Sequence, residues 1–89
     1  MPPVTRLGDI GSGHAGFPPT AVTEGSDNVF VNGKSVARLG DKIKEHGHLR
    51  KISKGSGTVF INGKPVARLG DPIDCGGFLL QGSGNVFAG

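Results

Sequence analysis

The phrase Arg-Leu-Gly-Asp occurs three times in this chain, at 6–9, 38–41 and 68–71, spaced by 32 and then 30 residues. A fixed period of that length means one supersecondary unit used three times, each copy burying its apolar face only against its neighbours. A second phrase recurs in step. Gly25-Ser26-Asp27-Asn28-Val29-Phe30-Val31-Asn32-Gly33-Lys34 matches Gly55-Ser56-Gly57-Thr58-Val59-Phe60-Ile61-Asn62-Gly63-Lys64, and Gly82-Ser83-Gly84-Asn85-Val86-Phe87 begins it again. The repeats cover about 6–34, 38–64 and 68–89 of a single domain, 1–89. Their boundaries are permuted: Pro3-Val4-Thr5-Arg6 aligns with the second half of the later units, and the C-terminal phrase is the first half. Pairing Val4 to Leu7 with Asn85 to Phe87 would complete the third unit and close a ring. Closure leaves no exposed sheet edge, whereas an open three-unit solenoid would leave both terminal strands unpaired.

Within each unit, β-branched and aromatic residues lead to Asn-Gly and a second short run, Val36-Ala37-Arg38-Leu39 or Val66-Ala67-Arg68-Leu69. Asn-Gly supplies the two positive-φ positions of a type I′ turn, so each phrase predicts a β-hairpin. Gly interrupts every window that could sustain a helical period. The predicted class is all-β, a pseudo-threefold set of short hairpins. Only 35% of the residues are apolar and Trp and Tyr are absent, so the core is thin. Small domains of this kind need a metal, disulfides or a partner, and a single cysteine, Cys75, excludes an internal disulfide.

The loop after each Arg-Leu-Gly-Asp carries one metal-binding side chain: His14 five residues after Asp9, His46 five after Asp41, Cys75 four after Asp71. Three residues beyond each stands an expected apolar anchor, Phe17, Leu49 or Phe78. Loops related by a threefold axis can converge on it. His48, two residues from His46, points the same way if that segment is extended. The resulting set, His14, His46, His48 and Cys75, offers three imidazoles and one thiolate, which suit tetrahedral Zn²⁺ with a filled, structural shell. Fe²⁺ fits less well, and Cu stays open.

Asp9, Asp41 and Asp71 could be ligands or bases, but Asp after Leu-Gly more often sets a turn. Arg6, Arg38 and Arg68 are expected to pair with acids or carbonyls of a neighbouring unit, and Glu45 and Asp74 to be solvated. A zinc hydrolase needs an open coordination position and a base, while a Ser-His-Asp site needs a histidine outside the loops. The Gly-rich segments lack the Gly-Lys-Ser/Thr of a phosphate loop. No catalytic residue is assigned.

The net charge of +3 is dispersed and implies solubility rather than a nucleic-acid partner. No apolar run approaches the roughly 20 residues of a membrane span, and the N-terminus lacks the blocks of a signal peptide. The expected site of synthesis is the cytoplasm.

Pro-Val-Thr-Arg (3–6), Ser-Val-Ala-Arg (35–38) and Pro-Val-Ala-Arg (65–68), each followed by Leu-Gly-Asp, together with the Asn-Gly-Lys turns and the His, His-x-His and Cys loops, resemble the PAAR-repeat proteins. The resemblance covers essentially the whole chain, although no copy spells Pro-Ala-Ala-Arg. It implies a small zinc-containing β-cone with His14, His46, His48 and Cys75 near the apex. It also implies the role of sharpening the trimeric β-helical spike of a type VI secretion system or contractile phage tail, one chain per trimer. The tip would then travel from the cytoplasm into the target cell or sit on a virion tail, touching a membrane only during puncture, with effector proteins as further partners. The chain is expected to carry no fused effector domain. A free-standing structural zinc-binding interaction module is the alternative, and a small zinc metalloenzyme a weaker one.

Overall fold

The computed structural model describes residues 1–14 and 16–89. Its strands pair as four antiparallel hairpins: β1 (Ile10–Gly11) with β2 (Thr20–Ala21), β3 (Phe30–Val31) with β4 (Lys34–Ser35), β5 (Lys42–Ile43) with β6 (Arg50–Lys51), and β7 (Phe60–Ile61) with β8 (Lys64–Pro65). No helix occurs among the described residues, and the all-β class stands. Asn32 and Gly33 have φ of 55° and 76°, and Asn62 and Gly63 of 54° and 77°, the two left-handed positions of a type I′ turn.

A further hairpin, the third of the kind formed by β3–β4 and β7–β8, is built from the two ends of the chain. Pro3 pairs antiparallel with Phe87, the Val4 amide donates to Val86 O at 2.9 Å, and the Ala88 amide donates to Pro2 O at 3.0 Å. This is the register of Phe30 with Ser35 and of Phe60 with Pro65. The ring therefore closes, but through Pro2 to Val4 and Val86 to Ala88 rather than Val4 to Leu7 and Asn85 to Phe87. Pro3 holds the place of Ser35 and Pro65, and that position fixes the register.

Residues 4–7 pair between repeats instead. Val4 bridges Arg68, Arg6 bridges Val36, and Arg38 bridges Val66, a cycle through all three units. At its centre the Thr5 amide donates to Ala67 O at 2.9 Å, the Ala67 amide to Ala37 O at 2.9 Å, and the Ala37 amide to Thr5 O at 3.0 Å. All three residues are fully buried. One apolar cluster holds Val22, Ile43, Ile52, Ile73 and Leu79 with Ala37 and Ala67, and Cys75 packs against it. A second holds Val4, Val36, Val66 and Ala88, flanked by Val29, Val31 and Ile61 from the hairpins. The molecule measures 32 × 23 × 23 Å, one long axis and two equal short ones, as a threefold body requires.

Each Arg-Leu-Gly-Asp forms a closed turn. Asp9, Asp41 and Asp71 accept the backbone amides of Arg6, Arg38 and Arg68 through Oδ2 at 2.8 Å, and their own amides return to the arginine carbonyls at 3.0 Å. The turn-setting role expected of Asp is what these bonds perform. Each guanidinium also grips the same carboxylate, so the ion pairs lie within a repeat and not across repeats as expected. A four-residue turn places positions i and i+3 side by side, and that adjacency decides the partner. One bond does cross, Arg6 Nη2 to Gly82 O of the last repeat at 3.4 Å, a carbonyl as expected, while Arg6 Nη1 reaches Asn32 Oδ1 at 3.0 Å and Arg38 Nη1 reaches Asn62 Oδ1 at 2.9 Å within their own repeats. The bonds to Asp41 and Asp71 raise Arg38 and Arg68 further above the ordinary guanidinium value.

Two outcomes follow. Asp41→Ala leaves a largely buried guanidinium and a main-chain amide unpaired, and is expected to cost about 3 kcal/mol in urea denaturation; a loss below about 1 kcal/mol would contradict the pairing. Deleting residues 84–89 removes the strand that completes the ring. The thermal midpoint is expected to collapse rather than drop by the small amount of an ordinary tail truncation, and an unchanged midpoint would show that closure contributes nothing.

Candidate metal centre

The loops that follow the three turns bring His14, His46, His48 and Cys75 together, with one ligand atom from each lying within 4.8 Å of every other. Among the described residues no other His, Cys, Asp or Glu joins this group. His14 is held by reciprocal backbone bonds with Phe17, at 3.1 and 2.6 Å. Cys75 sits in a turn closed by the Gly76 amide on Ile73 O at 3.0 Å. His46 and His48 lie in a bend, not in the extended segment expected of them. Gly47 between them has φ of 109°, and a Cβ there would stand 2.5 Å from the Phe17 ring. Convergence of the two imidazoles thus depends on a glycine bend and not on strand parity.

Phe17 is half exposed and covers the cluster, its ring centroid 4.9 Å from that of His14, 5.1 Å from His46 and 5.0 Å from His48. Leu49 and Phe78, its expected counterparts, are 74% and 53% exposed and anchor nothing in the core. The buried apolar position of each loop comes later, at Val22, Ile52 and Leu79, where the returning strand meets the axis. Glu45 and Asp74 are exposed, as expected, and Asp74 caps the Lys51 amide at 3.0 Å.

The hydrogen bonds settle what the imidazoles can do. His46 Nδ1 lies 2.7 Å from Pro18 O, and His48 Nδ1 lies 3.1 Å from Leu49 O. A carbonyl only accepts, so each Nδ1 carries a proton, and in the neutral ring the lone pair falls on Nε2. His46 Nε2 is buried with no partner among the described residues, and leaving such an acceptor unsatisfied costs about 1–3 kcal/mol. His14 Nε2 stands 3.2 Å from His48 Nε2. Two nitrogens bound at about 2.0–2.1 Å to one tetrahedral metal would be about 3.3 Å apart. Burial, and then the proximity of His46, His48 and Arg50, push the His14 imidazole below its ordinary pKa, which favours the neutral ring a metal requires. The orphaned Nε2, the spacing and the lowered His14 fit a cation, and the four residues form a group able to hold a metal ion.

Arg50 is the participant that sequence reasoning missed. It is 1% exposed, and its guanidinium donates to Ser12 O at 2.6 Å, Thr20 Oγ1 at 2.7 Å, Gly11 O at 3.4 Å and Cys75 Sγ at 3.6 Å. A signal for it existed. Arg50 stands two residues before Ile52, where the other repeats have Thr20 before Val22 and Gly77 before Leu79.

The chain matches the PAAR motif over residues 12–88. No curated protein matches it.

Purified protein is expected to retain about one transition-metal ion per chain by elemental analysis, and to lose thermal stability on chelation. Cys75→Ser, which removes the one anionic donor, should weaken retention more than His48→Ala. Metal-free protein with the same midpoint before and after chelator would refute the site.

Proposed function

Because the chain belongs to the PAAR-motif family, we propose that it is a spike-tip protein, a pointed cap for the trimeric β-helical spike of a contractile injection device of the type VI secretion or phage-tail kind. The observation that carries this reading is the closed cycle of backbone bonds through Thr5, Ala37 and Ala67. It gives one chain three nearly equivalent sides, so a single copy can meet a trimer with three matched contacts.

The three hairpins supply the surface for such contacts. Val29, Val31 and Ile61 turn inward onto the second cluster, and strand alternation turns Phe30 and Phe60 outward. Phe30, Phe60 and Phe87 are 57%, 55% and 46% exposed. Large exposed aromatics at three related positions are the mark of a surface made to be covered. They sit on the hairpins of the second cluster, whereas Cys75 packs on the first. The dispersed charge offers no single-sign patch, so apolar and backbone contacts would dominate docking.

At the other end the metal is Zn²⁺ in a structural role. Three imidazoles and a thiolate fill a tetrahedral shell and leave no position for the water that a hydrolase activates. A bound ion would cross-link loops of all three repeats and stiffen a point whose own core is thin. In this reading the protein assembles in the cytoplasm, meets a membrane only during puncture, ends in the target cell, and can carry effectors.

Co-purification with the cognate spike and native mass spectrometry should give one chain per trimer with one zinc. Asp at both Phe30 and Phe60 is expected to abolish the complex, and Leu49→Asp, at the metal end, to leave it intact. Three chains per trimer, or the reverse mutational pattern, would overturn the capping geometry. Zinc retention without any spike binding would favour a free-standing zinc module.

A further inference from the structure

We propose that Arg50 is the positioning residue of the metal centre: its interior guanidinium holds Cys75 Sγ through an N–H···S bond and ties loops of all three repeats into one geometry. The inference rests on the reading of the four side chains as metal ligands.

A guanidinium removed from water normally keeps a carboxylate beside it, because an unpaired buried charge costs several kcal/mol. Arg6, Arg38 and Arg68 each have one. Arg50, buried more deeply than any of them, has none among its hydrogen-bond partners, and its Nε has no partner among the described residues. Those partners are two carbonyls and a hydroxyl of the first repeat and the sulfur of the third, while Arg50 itself belongs to the second. Cys75 is the only one of them whose side chain can carry negative charge.

The space for this cation has been cleared by a second departure from the repeat. Gly11 pairs with Leu79 as Ile43 pairs with Val22 and Ile73 with Ile52, so Gly11 stands where a third isoleucine belongs. A Cβ on Gly11 would come within 2.7 Å of Ile73 Cδ1 and 3.5 Å of Arg50 Nη2. The space of a third isoleucine is shared by Ile73, which fills most of it, and by the guanidinium and Ile43 Cδ1 at its edge. Both irregularities meet at the one ligand that is not an imidazole, as expected of a group that orients that ligand and tunes it by hydrogen bonding.

The test uses cobalt(II) titration of the full chain, wild type against Arg50→Met, Arg50→Lys and Thr20→Val, reading affinity and the thiolate-to-cobalt charge-transfer band. Arg50→Met is expected to weaken binding about 10–100-fold and to move the band to longer wavelength, since the sulfur loses its N–H donor. Arg50→Lys should restore part of both, a point charge replacing a fork of donors. Thr20→Val, which removes one anchor of the guanidinium, should move both in the same direction by less. Loss of packing alone would not shift the band. An unchanged band and affinity in Arg50→Met overturns the proposal, as does a gain in affinity, which would mean that charge repulsion outweighs positioning. If Arg50→Met does not fold, unchanged values in both other variants overturn it. Wild-type protein that takes up neither cobalt nor zinc would remove the metal reading itself, and this inference with it.

Discussion

Three backbone segments meet side by side on one axis, and everything else in the molecule is arranged around that meeting. Thr5, Ala37 and Ala67 each donate to one neighbour and accept from the other, so six polar groups in a place without water are satisfied by a cycle of three bonds. Such a cycle leaves no room for a large side chain. The residues there are two alanines and a threonine, whose hydroxyl finds Gln81 O at 2.9 Å. From this girdle the Asn-Gly hairpins pack on one apolar cluster and the ligand loops on the other.

The girdle also explains how so little apolar material holds a fold. Strands of two residues cannot stand alone. Here each hairpin is locked to the next by the Arg-Leu-Gly-Asp turn, whose carboxylate caps an amide and pairs a guanidinium at once. Ser26, Ser56 and Ser83, all buried, accept the amides of Val29, Val59 and Val86 and so shape the entry to each hairpin. Polar groups satisfied within the repeat do much of what a larger core would do elsewhere.

Threefold symmetry holds where strands and turns are concerned and lapses at the metal end. A tetrahedral metal needs four donors from three loops, so one loop carries two, and Gly47 supplies the bend that lets both reach. Cys75 replaces an imidazole, Arg50 replaces a small residue, and Gly11 replaces an isoleucine. These changes are complementary in charge and volume. They place a cation beneath a sulfur in a domain otherwise built of equivalent parts.

Repetition made the fold legible. Three copies of one phrase, two Asn-Gly turns and a permuted boundary imply hairpins and closure by themselves, because backbone turn geometry is local and recorded in the residues that tolerate it. The four residues of the metal group were legible for the same reason, as equivalent positions after equivalent turns. What lay beyond the sequence were relations across the axis: the register of the terminal strands, the bend at Gly47, the exposure of Leu49 and Phe78, and the sharing of Gly11's space by Ile73 and Arg50. Local pattern states which way a chain turns. Which side chain occupies a shared volume is decided only when three segments distant in sequence compete for it, and that competition belongs to the tertiary structure alone.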